Sequence, residues 1–423
     1  MGMKPAPAAL AALAVLAVLA SAGGRALADK CGGDRECSCG DSVVRDYRLP
    51  GNLGPCPANG LEIGGAVEFD GGGHTIFGSR GKSFGLRLAA GASGSRVRNV
   101  KVTGFGRGLR LQDVRGARIE NLEAYRNGDS REHEGYGIDV AKGAMDNLLS
   151  GVKVHHNADE GIHFGTRASG NRVVDSEVSS NYRENIYVLA TDGTRIERSR
   201  LRSPGQGAAN VYIKFARDTR LDGNRIDGGT VQIRGGSTGT VLSGNDLSNT
   251  NVVLQEQDDR RFGKGSPART TIKGGRIEAS GSCIRVEMAS DVVIEDVDLR
   301  CRDAVTVAGG SDVALSGLAN TSVRCDGRGR VTRRAPLDVR FVDSAGKPQP
   351  RVKIRSRSGT PLGEAGADGH YRGVVEVGRL ECPRGDWKAV GEVEVDAEGR
   401  TKMVSIGSLR GNVTIPGTPS GKR

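Results

Sequence analysis

Along most of this chain a small or polar residue is followed by an apolar, a variable and a second apolar residue. Ten segments carry the pattern: Gly85-Leu86-Arg87-Leu88, Gly108-Leu109-Arg110-Leu111, Gly137-Ile138-Asp139-Val140, Gly161-Ile162-His163-Phe164, Asn185-Ile186-Tyr187-Val188, Asn210-Val211-Tyr212-Ile213, Thr230-Val231-Gln232-Ile233, Asn251-Val252-Val253-Leu254, Cys283-Ile284-Arg285-Val286 and Ala304-Val305-Thr306-Val307. His163 follows Asp139 by 24 residues, Tyr187 follows His163 by 24, and Tyr212 follows Tyr187 by 25. Repetition at this period means a solenoid, because each unit can bury its apolar side only against its neighbours. Strand alternation turns the two apolar residues inward and the variable residue outward. The variable residues therefore form a column on one outer face: Arg87, Arg110, Asp139, His163, Tyr187, Tyr212 and Gln232. Two residues further on, the same face carries Lys214 and Arg234. Two residues earlier it carries Gly85, Gly108, Gly137 and Gly161, which predicts a low trough beside the column.

A second apolar column runs through Val97, Ile119, Leu149, Val173, Ile196, Leu221, Leu242, Ile272, Ile294 and Leu315. Each opens another strand rich in Val and Ile between Gly, Asn, Asp and Ser turns. Two or three strands per turn make an all-β coil, a parallel β-helix. The 65 glycines and 4% aromatics suit its tight turns. Asn127, Asn157 and Asn181 precede patterned strands and read as a structural ladder. Two rungs carry insertions, 126–136 and 257–268, and loops longer than a turn requires are often walls or lids. From about residue 333 the period gives way to plain alternation, as in Leu337-Asp338-Val339-Arg340-Phe341-Val342, with turn signals at Asp343-Ser344-Ala345-Gly346 and Asp368-Gly369. The expected organisation is a signal peptide at 1–28, a Cys-rich cap at 29–64, the coil at 65–330, a β-sandwich accessory domain at 333–416 and a loose tail at 417–423.

The apolar run at 8–20 ends near Ala26-Leu27-Ala28, a small-residue cleavage site, which predicts export with Asp29 as the first mature residue. The run is too short to span a membrane and no other stretch is longer, so no transmembrane segment is expected. Eight cysteines in an exported chain favour disulfides. Cys31, Cys37, Cys39 and Cys56 crowd the cap. Cys283 and Cys301 fall on adjacent rungs, and Cys325 and Cys382 could tie the coil end to the last domain. The net charge of +11 and pI near 9.4 point to a polyanionic partner. With no nucleic-acid motif, acidic polysaccharide or an anionic envelope surface is the better fit. The scattered His and Met argue against a copper or zinc cluster.

The chain resembles the right-handed parallel β-helix repeat family over roughly residues 40–330. Asn157-x-x-x-Gly161-Ile162 is that family's repeat motif, and Asp70-Gly71-Gly72-Gly73-His74-Thr75-Ile76 is similar to its opening rung. The family includes pectate and alginate lyases, mannuronan epimerases, glycoside hydrolases and non-catalytic periplasmic proteins. Tyr136-Gly137-Ile138-Asp139 resembles the first part of the Tyr-Gly-Phe-Asp-Pro-His signature of secreted mannuronan C5-epimerases, in which Tyr, Asp and His are active-site residues. Val140 and Ala141 replace the Pro and His here. The later domain resembles carboxypeptidase-regulatory-like or immunoglobulin-like sandwiches.

Elimination from a uronate, or inversion at its C5, needs a cation to neutralise the carboxylate, a base for the C5 proton and an acid for the leaving oxygen or the opposite face. His163 is the candidate base, since imidazole titrates near neutrality. Tyr187 or Tyr212 could act as acid or stack on sugar, and Tyr136 joins them through the resemblance. Arg110, Lys214 and Arg234 could neutralise the carboxylate, with Gln232 beside them. Asp139 could orient His163 or help hold a calcium ion, the one metal this reading admits. The expected function is action on acidic polysaccharide by β-elimination or C5-epimerisation. The alternative is a non-catalytic glycan-binding or envelope protein.

Overall fold

The computed structural model describes residues 29–414 apart from 80, 82, 130–134, 203–207, 319–320, 384, 398 and 407–410. The expected signal peptide, the tail at 417–423 and residues 130–134 of the first insertion lie outside the described residues. The rest of the coil is strand and turn, with one short 3-10 turn at Ala90–Ala92. It is a right-handed parallel β-helix.

The central turns contribute three short strands each, whereas earlier turns run the last two together, as in Arg118–Tyr125. Tyr136–Val140 is followed by Leu148–Ser150 and Lys153–His155, and the next turn repeats them as Ile162–Phe164, Arg172–Val174 and Glu177–Ser179. Equivalent strands of successive turns pair in parallel, and the patterned strands belong to one 14-stranded sheet. The register matches the sequence column: Arg87 beside Arg110, then Asp139, His163, Tyr187, Tyr212 and Gln232. The flanking apolar residues are sealed inside, with Ile138, Ile162, Phe164, Ile186 and Val188 all fully buried. Three-sided coils leave no room for a separate core layer, so stacked aliphatic rows supply the hydrophobic stabilisation.

Asparagines form ladders inside the turns. Asn127 Nδ2 donates to Asn157 Oδ1 at 3.0 Å, Asn157 Nδ2 donates to Asn181 Oδ1 at 2.9 Å, and Asn181 Nδ2 donates to Asn185 Oδ1 at 2.9 Å. This overturns the external trough expected from the glycines. A Cβ on Gly137 would meet Asn157 Nδ2 at 2.6 Å, and one on Gly161 would meet Asn181 Nδ2 at 2.5 Å. Those glycines face inward and admit the amide ladder.

The disulfides are Cys31–Cys37, Cys39–Cys56, Cys283–Cys301 and Cys325–Cys382. The last clamps the final coil to the strand His370–Cys382. All eight cysteines are paired, as suits an oxidising compartment, and the protein is exported. No helix among the described residues is long and apolar enough to cross a membrane. At the carboxy end Gly329–Val342 first pairs in parallel with Ser311–Ser316 of the coil and also runs antiparallel to His370–Cys382. One uninterrupted strand thus leads from the coil into a second core, built from Leu337, Val339, Phe341, Ile354, Tyr371 and Val393. The strands Lys353–Ser356, Pro361–Glu364, Glu392–Ala397 and Arg400–Ser405 form the other sheet over that core.

Candidate active site

In-register stacking turns the column into a ladder of rings. Tyr136 lies on His163 with ring centres 4.8 Å apart and planes 18° from parallel. His163 to Tyr187 is 5.7 Å and Tyr187 to Tyr212 is 5.3 Å. The Arg107 guanidinium stands over Tyr136 at 5.5 Å. This spacing follows from the rung repeat of about 4.8 Å, and cation–π and ring stacking suit it.

Asp139 is the hub. Its side chain is 7% exposed, and its Oδ1 lies 3.2 Å from His163 Nδ1. That contact puts a proton on Nδ1 of a neutral His163, so that Nε2 carries the lone pair. Asp139 Oδ2 lies 3.1 Å from Arg107 Nε and 3.8 Å from Arg110 Nε. Both are ion-pair contacts without hydrogen-bond alignment, so two buried guanidinium N–H groups have no acceptor. Burial, above all, holds Arg110 below the usual arginine range, against the attraction of Asp139 and with the help of Arg107 and Arg87.

These groups line a cavity of about 560 Å³ together with Lys142, Arg167 and Arg261. Five cationic side chains therefore surround one carboxylate that is already engaged. Such a pocket is built for an anion. A second depression, on another face, holds Lys153, Asp175, Glu177, Arg198, Arg200 and Arg225. It is mixed in sign, and Asp175 is tied to Arg198 at 2.9 Å, so it offers no comparable excess.

Behind the rings lies a buried acidic pair. Asp159 and Glu160 side chains are each 3% exposed and share Arg183, at 3.3 and 3.4 Å. Burial first, then the negative charges of Asp159 and Glu184, push Glu160 up to about 8 against the pull of Arg183. Burial raises Asp159 as well, and the pair holds a shared proton at neutral pH. Tyr136 and Tyr187 are both pushed above the usual phenol range, chiefly by burial; for Tyr136 the charges of Glu160 and Asp159 add to this, and for Tyr187 those of Tyr212 and Glu160. Both phenols stay protonated and can donate. An unfolded Glu160 titrates near about 4.3, below its folded value. The stability linked to it is complete below the unfolded value and is lost as pH rises through about 8. Glu160→Gln should therefore flatten the fall of Tm between acid and alkaline pH, and a fall as steep as the parent's would clear Glu160 of that role.

The second insertion builds a wall beside the column. Gln257–Asp259 and Gly263–Gly265 pair as a hairpin that folds back over the column. Tyr212 Oη donates to Gln257 Oε1 at 2.9 Å, Lys214 Nζ meets Asp259 Oδ2 at 2.6 Å, and Phe262 lies against Phe215 with ring centres 5.0 Å apart. The hairpin tip carries Arg261 into the cavity, where its Nη2 reaches Thr166 Oγ1 at 3.4 Å. Lys214 and Tyr212 are thus engaged by the wall, and Arg234 Nε donates to Gln232 Oε1 at 3.0 Å. Of the nine candidates, the cavity unites Tyr136, Asp139, His163 and Arg110; Tyr187 stacks beside them, and Lys214, Arg234, Tyr212 and Gln232 stand outside. Asp139, expected either to orient His163 or to help hold a calcium ion, has its oxygens facing two guanidiniums and the imidazole of His163. Arg107, Lys142, Arg167, Arg261 and Glu160 were not among the candidates. Only Arg107 had a usable signal: it holds the same repeat position as Tyr136, and the two are paired in register.

A model of the family described as "Periplasmic copper-binding protein (NosD)" matches residues 72–283. No curated protein matches the sequence. Among solved structures, full-length tailspike protein 2 from an Escherichia coli O157:H7 bacteriophage is similar at 10% identity, with 85% of this chain and 58% of that chain covered and a TM-score of 0.41. The present chain thus spans less than two thirds of that protein's length. A variant of the periplasmic alginate epimerase AlgG is similar at 10% identity, covering 68% and 78% with a TM-score of 0.44. The A-module of Azotobacter vinelandii mannuronan C-5 epimerase AlgE4 is similar at 15% identity, covering 70% and 86% with a TM-score of 0.36.

Proposed function

The chain belongs to the NosD family, whose model spans half of it, and we propose that this member acts on acidic polysaccharide, by β-elimination or C5-epimerisation at a uronate. The observation that carries the reading is the cavity at Asp139 and His163, where five cationic side chains surround a single engaged carboxylate. An anionic sugar would supply the acceptor that the Nε–H groups of Arg107 and Arg110 lack.

The chemistry follows from those positions. Guanidinium contacts to the uronate carboxylate stabilise the charge that develops when C5 loses its proton. His163 Nε2 takes that proton while Asp139 steadies the resulting imidazolium. In elimination the C5–H electrons form the C4–C5 double bond, the C4–O bond breaks, and a phenol of Tyr187 or Tyr136 protonates the leaving oxygen. In epimerisation the same phenol returns a proton to the opposite face of C5. Between turnovers solvent takes the proton from the imidazolium and returns one to the phenolate.

Arg261→Gln should raise KM for oligouronates roughly tenfold through the loss of one charge-assisted contact, with a smaller change in kcat. An unchanged KM would place the hairpin tip away from the substrate. The second reading, glycan binding without turnover, draws on Val140 and Ala141 standing where the epimerase signature has Pro and His. Incubation with alginate, pectate and glycosaminoglycans separates the two. Unsaturated uronate or proton exchange at C5 supports catalysis, saturable binding without either supports the second reading, and no binding of any polyuronate rejects both.

The family's description names copper. The column does not suit that ion: the imidazole of His163 shares its cavity with five cations and every cysteine is in a disulfide. Among the described residues no three His, Cys, Asp or Glu side chains converge as a metal cage. The imidazole nitrogens that do meet are those of His155 and His156, a pair that no third ligand joins among the described residues, so the residues present do not fit that ion.

A further inference from the structure

The hairpin at 257–265 limits how much of a polymer the column can hold. It leaves the coil directly after the strand Asn251–Gln255 and turns back across the earlier rungs of Gln232 and Tyr212. Lys214 shows that it lies over the column face. A lysine on the outside of a sheet is ordinarily solvated. This one leaves the outer face, yet its side chain is only 12% exposed, with Asp259 Oδ2 2.6 Å from its Nζ. One strand position earlier on that face, the Tyr212 hydroxyl is taken by Gln257. The returning strand of the hairpin is seated as closely: a Cβ on Gly265 would stand 2.5 Å from Gly236 N, an approach of backbones that a side chain there would prevent.

The cavity stops where this cover begins. Two residues beyond Asp139 and His163, the same outer face carries Ala141 and Gly165, and both line the cavity. They are small, and a Cβ on Gly165 would stand 3.4 Å from His163 Cε1, so the glycine keeps the space beside the imidazole open. On the next two rungs the equivalent positions hold Leu189 and Lys214, which are paired in register. Leu189 and Arg261 line the far end of the cavity. Two rungs of about 4.8 Å each separate His163 from Tyr212, which admits a terminal sugar unit but no continuing chain. In the opposite direction the column stays accessible among the described residues. Arg110 and Arg87 are in register two and three rungs before His163, and their side chains are 29% and 34% exposed.

Resting on the polysaccharide reading above, we propose that the site takes the end of a polyuronate chain. The terminal unit lies against Leu189, Arg261 and the hairpin, and the polymer leads away over Arg110 and Arg87, whose charges match its carboxylates. A chain passing straight through would have to displace the hairpin. That would break the Lys214–Asp259 ion pair, the Tyr212–Gln257 hydrogen bond and the contact of Phe262 with Phe215. The insertion thus selects chain ends over chain interiors, as loops on a rigid scaffold commonly set specificity.

The mature chain acting on alginate, pectate or a glycosaminoglycan should release unsaturated products of one or two units from the first minutes, with little early fall in viscosity. If the chemistry is epimerisation, solvent deuterium should enter C5 of terminal units alone. A broad ladder of products with a prompt fall in viscosity, or label spread along the chain, overturns the proposal and leaves the polysaccharide reading standing. Binding gives a readout that needs no turnover. In calorimetry with size-fractionated chains of the same polymers, the number of protein molecules bound per chain should stay at one as the chain lengthens. A number that rises with length overturns the proposal. End binding without turnover supports it while removing the catalytic part of the earlier reading, and no binding of any of these polymers overturns both. Replacing residues 257–265 by a Gly-Ser-Gly turn should lengthen the first products several-fold and let the protein bind along the chain. Q257A with D259A, which removes two anchors and keeps the backbone, should move both readouts the same way and serves if the shortened chain misfolds. Unchanged product length and unchanged stoichiometry in a folded hairpin variant overturn the proposal.

Discussion

Replacing His163 by glutamine is expected to lower uronate turnover by about 10²–10⁴-fold while the coil stays folded. Glutamine keeps a polar group near Asp139 but cannot accept a C5 proton. The reason for confining the effect to chemistry is structural. His163 faces the cavity from a strand whose anchoring residues, Ile162 and Phe164, remain fully buried, so the hydrophobic row is unaltered. Asp139 would retain Arg107 and Arg110 as counter-charges. The measurement is the initial rate of unsaturated-uronate formation and of proton exchange at C5, with circular dichroism as the control for folding. Turnover within a few-fold of the parent would remove His163 as the base, and with it the mechanism. Tyr136→Phe and Tyr187→Phe should then identify the donor. The ring stack would survive in both, and only the variant that lost the donor would lose elimination and inversion while keeping exchange at C5.

The largest effect on stability is expected at Asn157. Its amide is engaged on all sides: it accepts from Asn127 N and Nδ2, at 3.1 and 3.0 Å, and donates to Ala124 O and Asn181 Oδ1, at 3.1 and 2.9 Å. All of these groups are interior, and Asn157 itself is 2% exposed. Asn157→Ala would strand several buried donors and acceptors at once, each costing about 1–3 kcal/mol when left unpaired. With the void added, we expect a loss of at least about 3 kcal/mol, read from chemical denaturation. The lost partners belong to three successive turns, so the damage should spread along the coil. A loss below about 1 kcal/mol would mean that water enters the turn and satisfies the ladder.

The two experiments probe different parts of one arrangement. The asparagine ladder holds successive turns in register, and register is what puts Asp139, His163 and Tyr187 next to one another. A chain that slipped by one residue would turn the column inward and the aliphatic row outward. The amide ladder runs through the same turns that lead into these three strands. It therefore contributes to the site although none of its members faces the cavity.

Much of this protein could be read from the order of its residues. A constant spacing of about two dozen residues places Asp139, His163, Tyr187 and Tyr212 in one row, because in-register parallel stacking converts equal separation in the chain into adjacency in space. The same arithmetic located the asparagine ladder and paired Cys283 with Cys301. What the repeat does not encode is anything that leaves it. Gly137 and Gly161 face inward against the asparagine amides, an orientation that alternation alone does not describe. The hairpin at 257–265 joins Gln257 to Tyr212 across 45 residues and Arg261 to Thr166 across 95. Those contacts depend on the direction in which an insertion folds. Periodicity determines neighbours along the coil; the closing of the cavity and the charges around it were decided by contacts between segments with no fixed separation, and only the folded chain brings those together.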